Sequence, residues 1–179
     1  LKWSIQTTPK DNFLVGCRIP GAGNSPAESG PDVDFGSSPI LRTLPNGKQV
    51  LLAGQKSSPV FALDPDNRGK VLWQEKVGAG SALGGVEWGF AADKENAYVA
   101  IADVITKPDL AKPGITALNL ATGARVWSTA APRIECTGGK SRCLPAPSQA
   151  VAVVPGVVYS GSLDGHWSGD ATAEGANVG

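Results

Sequence analysis

Apolar and polar positions change over in short bursts along this chain, and no stretch sustains the i, i+3, i+4, i+7 spacing of an amphipathic helix. Three segments share one order of bursts. Residues 37–78, 88–130 and 148–179 each carry an apolar run, a tight turn, a second run rich in β-branched residues, and a further strand. The pattern predicts short antiparallel strands throughout and almost no helix.

The turns are written in residues with a mechanism. "PNG" at 45–47 places Asn46 and Gly47 where a hairpin needs positive φ. "VPGVV" places Pro155 and Gly156 at turn positions, proline for its fixed φ and glycine for a left-handed one. "DKEN" at 93–96 is a polar turn between "GFAA" and "AYVAIA".

A second cadence overlies the strands. "ALNLATGARVW" sets Ala117, Asn119, Gly123 and Trp127 at fixed intervals, and Ala62, Asp64, Gly69 and Trp73 repeat them with one extra turn residue. The alanine is small enough to lie under a neighbouring sheet. The Asn or Asp bonds the backbone of the turn it opens, and the glycine takes the left-handed conformation. The tryptophan offers a broad flat surface to the adjacent repeat. Trp3 ends a further copy that the first residue cuts short. In the last copy Gly169, Ala171, Gly175 and Gly179 fall at the four positions, and only the turn glycine survives.

Repeats of roughly 50 residues built from four short strands are the signature of β-propeller blades. The fold class expected is therefore all-β: a single partial propeller domain over 1–179, with blades at 37–78, 88–130 and 148–179. Residues 1–36 then form the end of a preceding blade plus a loop. Propellers close with about 4–8 blades. Three blades leave open edges, with Trp3 and apolar faces exposed, so the chain is expected to self-associate or to belong to a larger ring. It contains no methionine and no leader pattern, which reads as a processed product or a piece of a longer chain.

Composition narrows the chemistry. Hydrophobic residues make up 41%, enough for a packed core, and 23 Gly with 14 Pro suit many turns. Sixteen basic residues balance sixteen acidic ones, leaving no basic stripe for nucleic acid. No apolar run approaches the roughly 18 residues of a membrane span. Cys136 and Cys143 enclose the polar loop "CTGGKSRC", suited to a disulfide in an oxidising compartment, with Cys17 left over; three reduced thiols is the other reading. His166 stands alone in a turn, so neither a histidine metal site nor a Ser–His–Asp arrangement is expected. Asp103, in "VAIADV", reads as a strand-end cap.

The A-x-[DN]…G-x-x-x-W cadence resembles the tryptophan-docking motif of the quinoprotein alcohol dehydrogenases, eight-bladed propellers that bind pyrroloquinoline quinone (PQQ) and usually calcium. Non-catalytic propellers, such as the outer-membrane assembly lipoprotein of Gram-negative bacteria, carry similar blades. Between the docking motifs, "TTPKD" at 7–11 with "VDFGSSPIL" at 33–41 resembles the family's segment bearing an active-site aspartate before an aromatic residue. "GQKSSPVFALD" at 54–64 is similar to the segment whose basic residue reaches the quinone, and "GGVEWGFAADKENAYVAI" at 84–101 to the Gly-Gly-x-Asn-Trp element facing the cofactor. "DVDFGSSPIL" and "SGSLDGH" look most like the polyvinyl-alcohol-dehydrogenase branch.

The resemblance implies a periplasmic or secreted oxidoreductase for primary, secondary or polymeric alcohols, using PQQ and Ca2+ and passing electrons to a cytochrome c-type acceptor. No Cys-x-x-Cys-His haem attachment stands in the chain. Asp34 is the expected base for the hydroxyl proton and the expected calcium ligand, or else a turn cap in "GPDVDFG"; Asp32 is the competing carboxylate. Lys56 is expected to face charge growing on the quinone oxygens, or to be a solvated strand-end lysine. Trp88 is expected to line the cofactor or to be blade core. Glu87 is also placed at the cofactor, but stands where the family has asparagine, and a carboxylate there repels a tricarboxylated quinone unless a cation intervenes. The alternative function is a cofactor-free propeller scaffold for protein–protein interaction.

Overall fold

The computed structural model describes residues 1–21, 23–132 and 144–179. Two four-stranded antiparallel sheets and one three-stranded sheet follow one another along the chain. The first holds β1 (Ile40–Thr43), β2 (Gln49–Gly54), β3 (Pro59–Asp64) and β4 (Lys70–Lys76), in sequence order. The second holds β5 (Ala91–Ala92), β6 (Asn96–Ile101), β7 (Gly114–Asn119) and β8 (Arg125–Ala130), again in order. The third holds β9 (Ala152–Val154), β10 (Val157–Gly161) and β11 (Trp167–Ala171). The expected fourth strand of this last blade is not present among the described residues. One 3-10 turn, Val15–Arg18, is the only helical element among the described residues, and no helix there is long and apolar enough to cross a membrane. The proposed Cys136–Cys143 pair lies outside the described residues; Cys17 is a half-buried free thiol.

The blades stack through apolar faces. Val50, Leu52, Val60 and Ala62 of the first sheet join Val86, Phe90, Val99, Ile101, Leu118 and Leu120 in one buried cluster. Tyr98, Ala100, Ile115 and Ala117 of the second sheet join Val151 and Val158 in another. Alternate residues of β7 therefore face opposite neighbours, as strand geometry requires. Packing of this kind supplies most of the favourable free energy of folding.

The tryptophan cadence is the seal between sheets. Trp73 Nε1 donates to the Leu120 carbonyl of the next sheet at 2.9 Å, and Trp127 Nε1 donates to Thr172 O at 2.9 Å. Each indole lies over a turn glycine: a Cβ on Gly123 would stand 2.6 Å from Trp73 Cδ2, and one on Gly175 2.5 Å from Trp127 Cε3. Asn119 Oδ1 accepts from the Ala121 and Thr122 amides, and Asp64 Oδ1 from Asp66 and Asn67, shaping those turns. Trp3 departs from its expected exposure. Its ring covers Gly69 and its Nε1 donates to Pro65 O at 3.1 Å, so residue 3 docks on the first sheet as Trp73 docks on the second.

The hairpins follow their turn residues with one correction. Gly156 takes φ +90° after Pro155, as expected, but at "PNG" only Gly47 is left-handed, at φ +80°. Asn46 instead acts through its side chain, its Oδ1 accepting from Lys48 N at 3.0 Å. In the 93–96 turn Asp93 Oδ1 accepts from the Glu95 and Asn96 amides at 2.8 Å each.

Candidate functional site

The site lies where loops from different parts of the chain meet at the end of β2. Gln55 and Lys56 follow that strand. Lys56 N donates to Asp34 O at 3.1 Å, Val86 N to Gln55 O at 3.3 Å, and Ser81 N to Lys56 O at 3.2 Å. Backbone pairing thus ties residue 34, residues 55–56 and the 81–86 loop together. Two glycines permit that approach. Gly84 and Gly85 hold φ +145° and +99°, and a Cβ on Gly85 would meet Lys56 O at 2.3 Å.

Three carboxylates converge on one ammonium. Lys56 Nζ stands 3.0 Å from Asp34 Oδ1, 3.3 Å from Asp32 Oδ1 and 3.7 Å from Glu87 Oε1. The side chains of Lys56 and Glu87 are 12% and 13% exposed, whereas Asp34 is 68% exposed. Burial by itself lowers the Lys56 pKa, but hydrogen bonds and charge from Asp34 and Asp32 more than offset it, so the ammonium titrates above its ordinary value. Burial pushes the Glu87 carboxyl up; Asp34 and Asp32 add to the rise and Lys56 opposes it. Glu87 Oε2 is buried and has no hydrogen-bond partner among the described residues.

The expected residues are therefore assembled unevenly. Asp34, Lys56 and Glu87 come together. Trp88 is on the same loop as Glu87 and is 42% exposed. Asp32, named as the competing carboxylate, is in the cluster as well. Its backbone is left-handed at φ +64°. That conformation is held by Asp11, whose two carboxylate oxygens accept from Asp32 N at 2.9 Å and Val33 N at 2.8 Å. Sequence reasoning missed this role of Asp11, although it singled out "TTPKD"; the signal was a carboxylate just before a Gly/Pro-rich loop. It also missed Gln55, which is buried and donates from Nε2 to Thr7 and Thr8 Oγ1 at 3.1 and 3.0 Å.

No calcium donor set forms here. Among the described residues no group of three or more His, Cys, Asp and Glu side chains is arranged to hold a metal ion. Asp34 Oδ1 contacts the Lys56 ammonium at 3.0 Å, and the rest of its side chain is open to solvent. Toward a ligand rich in carbonyl oxygens the cluster offers the Lys56 ammonium as donor, while its ionised carboxylates can only accept. Asp103 and His166 stay outside this chemistry. Asp103 accepts from Ala79, Gly80 and Lys112 amides at 2.9–3.0 Å, the expected capping role, and His166 Nδ1 lies 3.3 Å from Asp164 in the β10–β11 turn.

No protein-family model matches the chain. Among solved structures, BamB from Moraxella catarrhalis is similar with TM-score 0.55 and 14% identity, covering 80% of this chain and 35% of that one. A quinohemoprotein alcohol dehydrogenase from Pseudomonas putida is similar with TM-score 0.54 and 20% identity, covering 82% and 20%. At such identities these likenesses establish the propeller fold alone. A polyvinylalcohol dehydrogenase of Pseudomonas sp. is 50% identical over 175 residues, and one of Sphingopyxis sp. is 40% identical over 179. Each match takes in 98% of this chain and 27% of the relative, so the chain spans about a quarter of the length of these proteins. The resemblance carried by the motifs around Asp34, Lys56 and Glu87 thus holds along nearly the whole chain: it is a set of propeller blades similar to one segment of the polyvinylalcohol dehydrogenases.

Proposed function

We propose that this chain supplies part of the cofactor-facing surface of a PQQ-dependent alcohol dehydrogenase acting on secondary or polymeric alcohols. The observation that carries this reading is the half-sequestered Lys56 ammonium, set among carboxylates at the loop end of one blade, with the exposed Trp88 next in the chain to Glu87. When bound, the quinone supplies the two-electron acceptor. Lys56 provides fixed positive charge beside its oxygens, which stabilises negative charge growing there. Asp34 is the solvent-reaching carboxylate and takes the proton of the substrate hydroxyl as a general base. Trp88 offers a flat apolar face to a planar ring. No step is assigned to calcium, since these residues do not assemble ligands for it. Electrons pass on to a cytochrome c-type acceptor, and the site of action is the periplasm or cell exterior.

The 50% identity makes a direct test practical. The matching 175-residue stretch of this chain replaces its counterpart in the Pseudomonas polyvinylalcohol dehydrogenase, and dye reduction is followed with PQQ and an alcohol. The exchanged protein should turn over, and Asp34→Ala in it should lower kcat by about 10²–10⁴-fold. Full activity of the Asp34→Ala protein removes the base assignment. If the exchanged protein is folded yet takes up no PQQ, the reading as a cofactor-free scaffold replaces this one.

A further inference from the structure

The cluster at Lys56 holds more negative charge than positive. One ammonium serves Asp32, Asp34 and Glu87, all within 4 Å of Nζ, and among the described residues no second cationic side chain pairs with any of them. Asp34 spreads its charge into solvent. Asp32 lies closer to the ammonium than Glu87 does, and it is fixed in place by the Asp11 grip on its backbone. Glu87 has neither advantage. It is the most distant of the three from Nζ, its side chain is 13% exposed, and its Oε2 is buried without a partner among the described residues. A carboxylate oxygen left this way is costly to keep charged, and a proton on it removes the cost while creating a donor.

We propose that Glu87 works as a proton-bearing hydrogen-bond donor, presenting Oε2–H to a carbonyl or carboxylate oxygen of the bound quinone. This rests on the dehydrogenase reading above and deepens it. It also explains how an acidic residue stands where the resembling motif has asparagine. An amide N–H and a carboxylic O–H are both neutral donors, so the position keeps its donor and avoids a second negative charge facing an anionic ligand. The room for it is specific: Gly36 lies against the Glu87 stem, and a Cβ there would meet Glu87 Cγ at 2.8 Å. The influences acting on Glu87 are burial, which raises its pKa most, Lys56, which favours the carboxylate, and Asp34 and Asp32, which favour the acid; the net direction is upward.

The test uses the 179-residue chain with 13C-labelled glutamate, the Glu87 carboxyl signal being assigned by its loss in Glu87→Gln. The signal should titrate above the ordinary glutamate value of about 4.3. Asp34→Asn should bring its midpoint down and Lys56→Met should raise it. A midpoint at or below the ordinary value overturns the proposal, as does millimolar calcium that drives the midpoint below it, which would mark a cation site. The second arm measures PQQ affinity against pH by tryptophan quenching in the exchanged full-length protein described above, with and without Glu87→Gln. Wild-type affinity should fall as pH rises through the Glu87 midpoint, by up to about tenfold per pH unit for one proton, while Glu87→Gln binds with a flat profile. PQQ binding with the same pH dependence in both proteins refutes the donor role and leaves the quinone reading standing. A raised midpoint with no PQQ binding at any pH does the reverse: Glu87 bears its proton, and the quinone reading falls.

Discussion

Replacing Gly123 by alanine isolates the energy of one blade-to-blade seal. Two costs arise together. Gly123 holds φ +74°, a conformation that disfavours an L side chain by about 1–2 kcal/mol. The new Cβ would also stand 2.6 Å from Trp73 Cδ2 and Cε3 and 3.0 Å from Cγ, where ordinary contact begins near 3.4 Å. The indole must therefore move by close to an ångström. Such overpacking costs about 1–3 kcal/mol, and the shift also strains the Trp73 Nε1 bond to Leu120 O, worth about 1 kcal/mol. Gly47→Ala is the control, since Gly47 is also left-handed at φ +80° but a Cβ there meets nothing within 4 Å. Urea unfolding followed by tryptophan fluorescence should place Gly123→Ala about 2 kcal/mol below Gly47→Ala. The smaller ring of Trp73→Phe should recover part of that difference in the double variant, as expected for groups in direct contact. Equal losses at Gly47 and Gly123, or strict additivity with Trp73→Phe, would refute the claim that an indole on a glycine seals the blades.

Two further perturbations probe buried carboxylates that have no place in the proposed chemistry. Asp170 is 3% exposed, its Oδ1 has no partner among the described residues, and burial raises its pKa. Its folded-state value lies above the unfolded one, so stability from this group is full at low pH and is lost as pH rises. Asp170→Leu should therefore raise the unfolding free energy from urea titration more at pH 7 than at pH 4, by about 1–3 kcal/mol at the higher pH; a gain that is equal at both, or none, removes that assignment. Asp103→Ala strips the acceptor from three amides, Ala79, Gly80 and Lys112. It should cost about 2–4 kcal/mol and speed hydrogen exchange at those amides, and unchanged exchange there would count against the capping role.

The frame was legible because its signals are local. Asn119, Gly123 and Trp127 fall within nine residues, and each does its work on its own turn or on the next sheet by a fixed offset. Gly156 and Asp93 likewise act within a few residues of themselves. Misses came where distance in sequence is large. Asp11 holds Asp32 across 21 residues, and Trp3 meets Pro65 across 62. Nothing in the spacing of either pair marks it, since the partner is chosen by the fold. Asn46 was misjudged for a different reason. Pro45 fixes the turn ahead of it, which left the single left-handed position to Gly47 and let the Asn46 side chain take the Lys48 amide.

The site itself arises where the repeats disagree. Lys56, Asp103 and Leu163 each stand two residues past the end of a second long strand, after Gly54, Ile101 and Gly161. The three sheets thus present the same backbone position with a cation, a capping carboxylate and an exposed leucine. Asp103 spends its carboxylate on three backbone amides and keeps nothing for a ligand. The Lys56 ammonium instead faces the side-chain carboxylates of Asp32, Asp34 and Glu87. The same contrast holds one layer down. Asp170 occupies the strand position of the core residues Leu63 and Leu118, one residue before Ala171, whose carbonyl accepts from Gly175 N, and is left with an orphan oxygen among the described residues where they pack as hydrocarbon. Repetition builds a stiff stack by making each blade satisfy its neighbour. Chemistry is available only at positions the stack does not need, and in this chain those are the strand-end loops around Lys56.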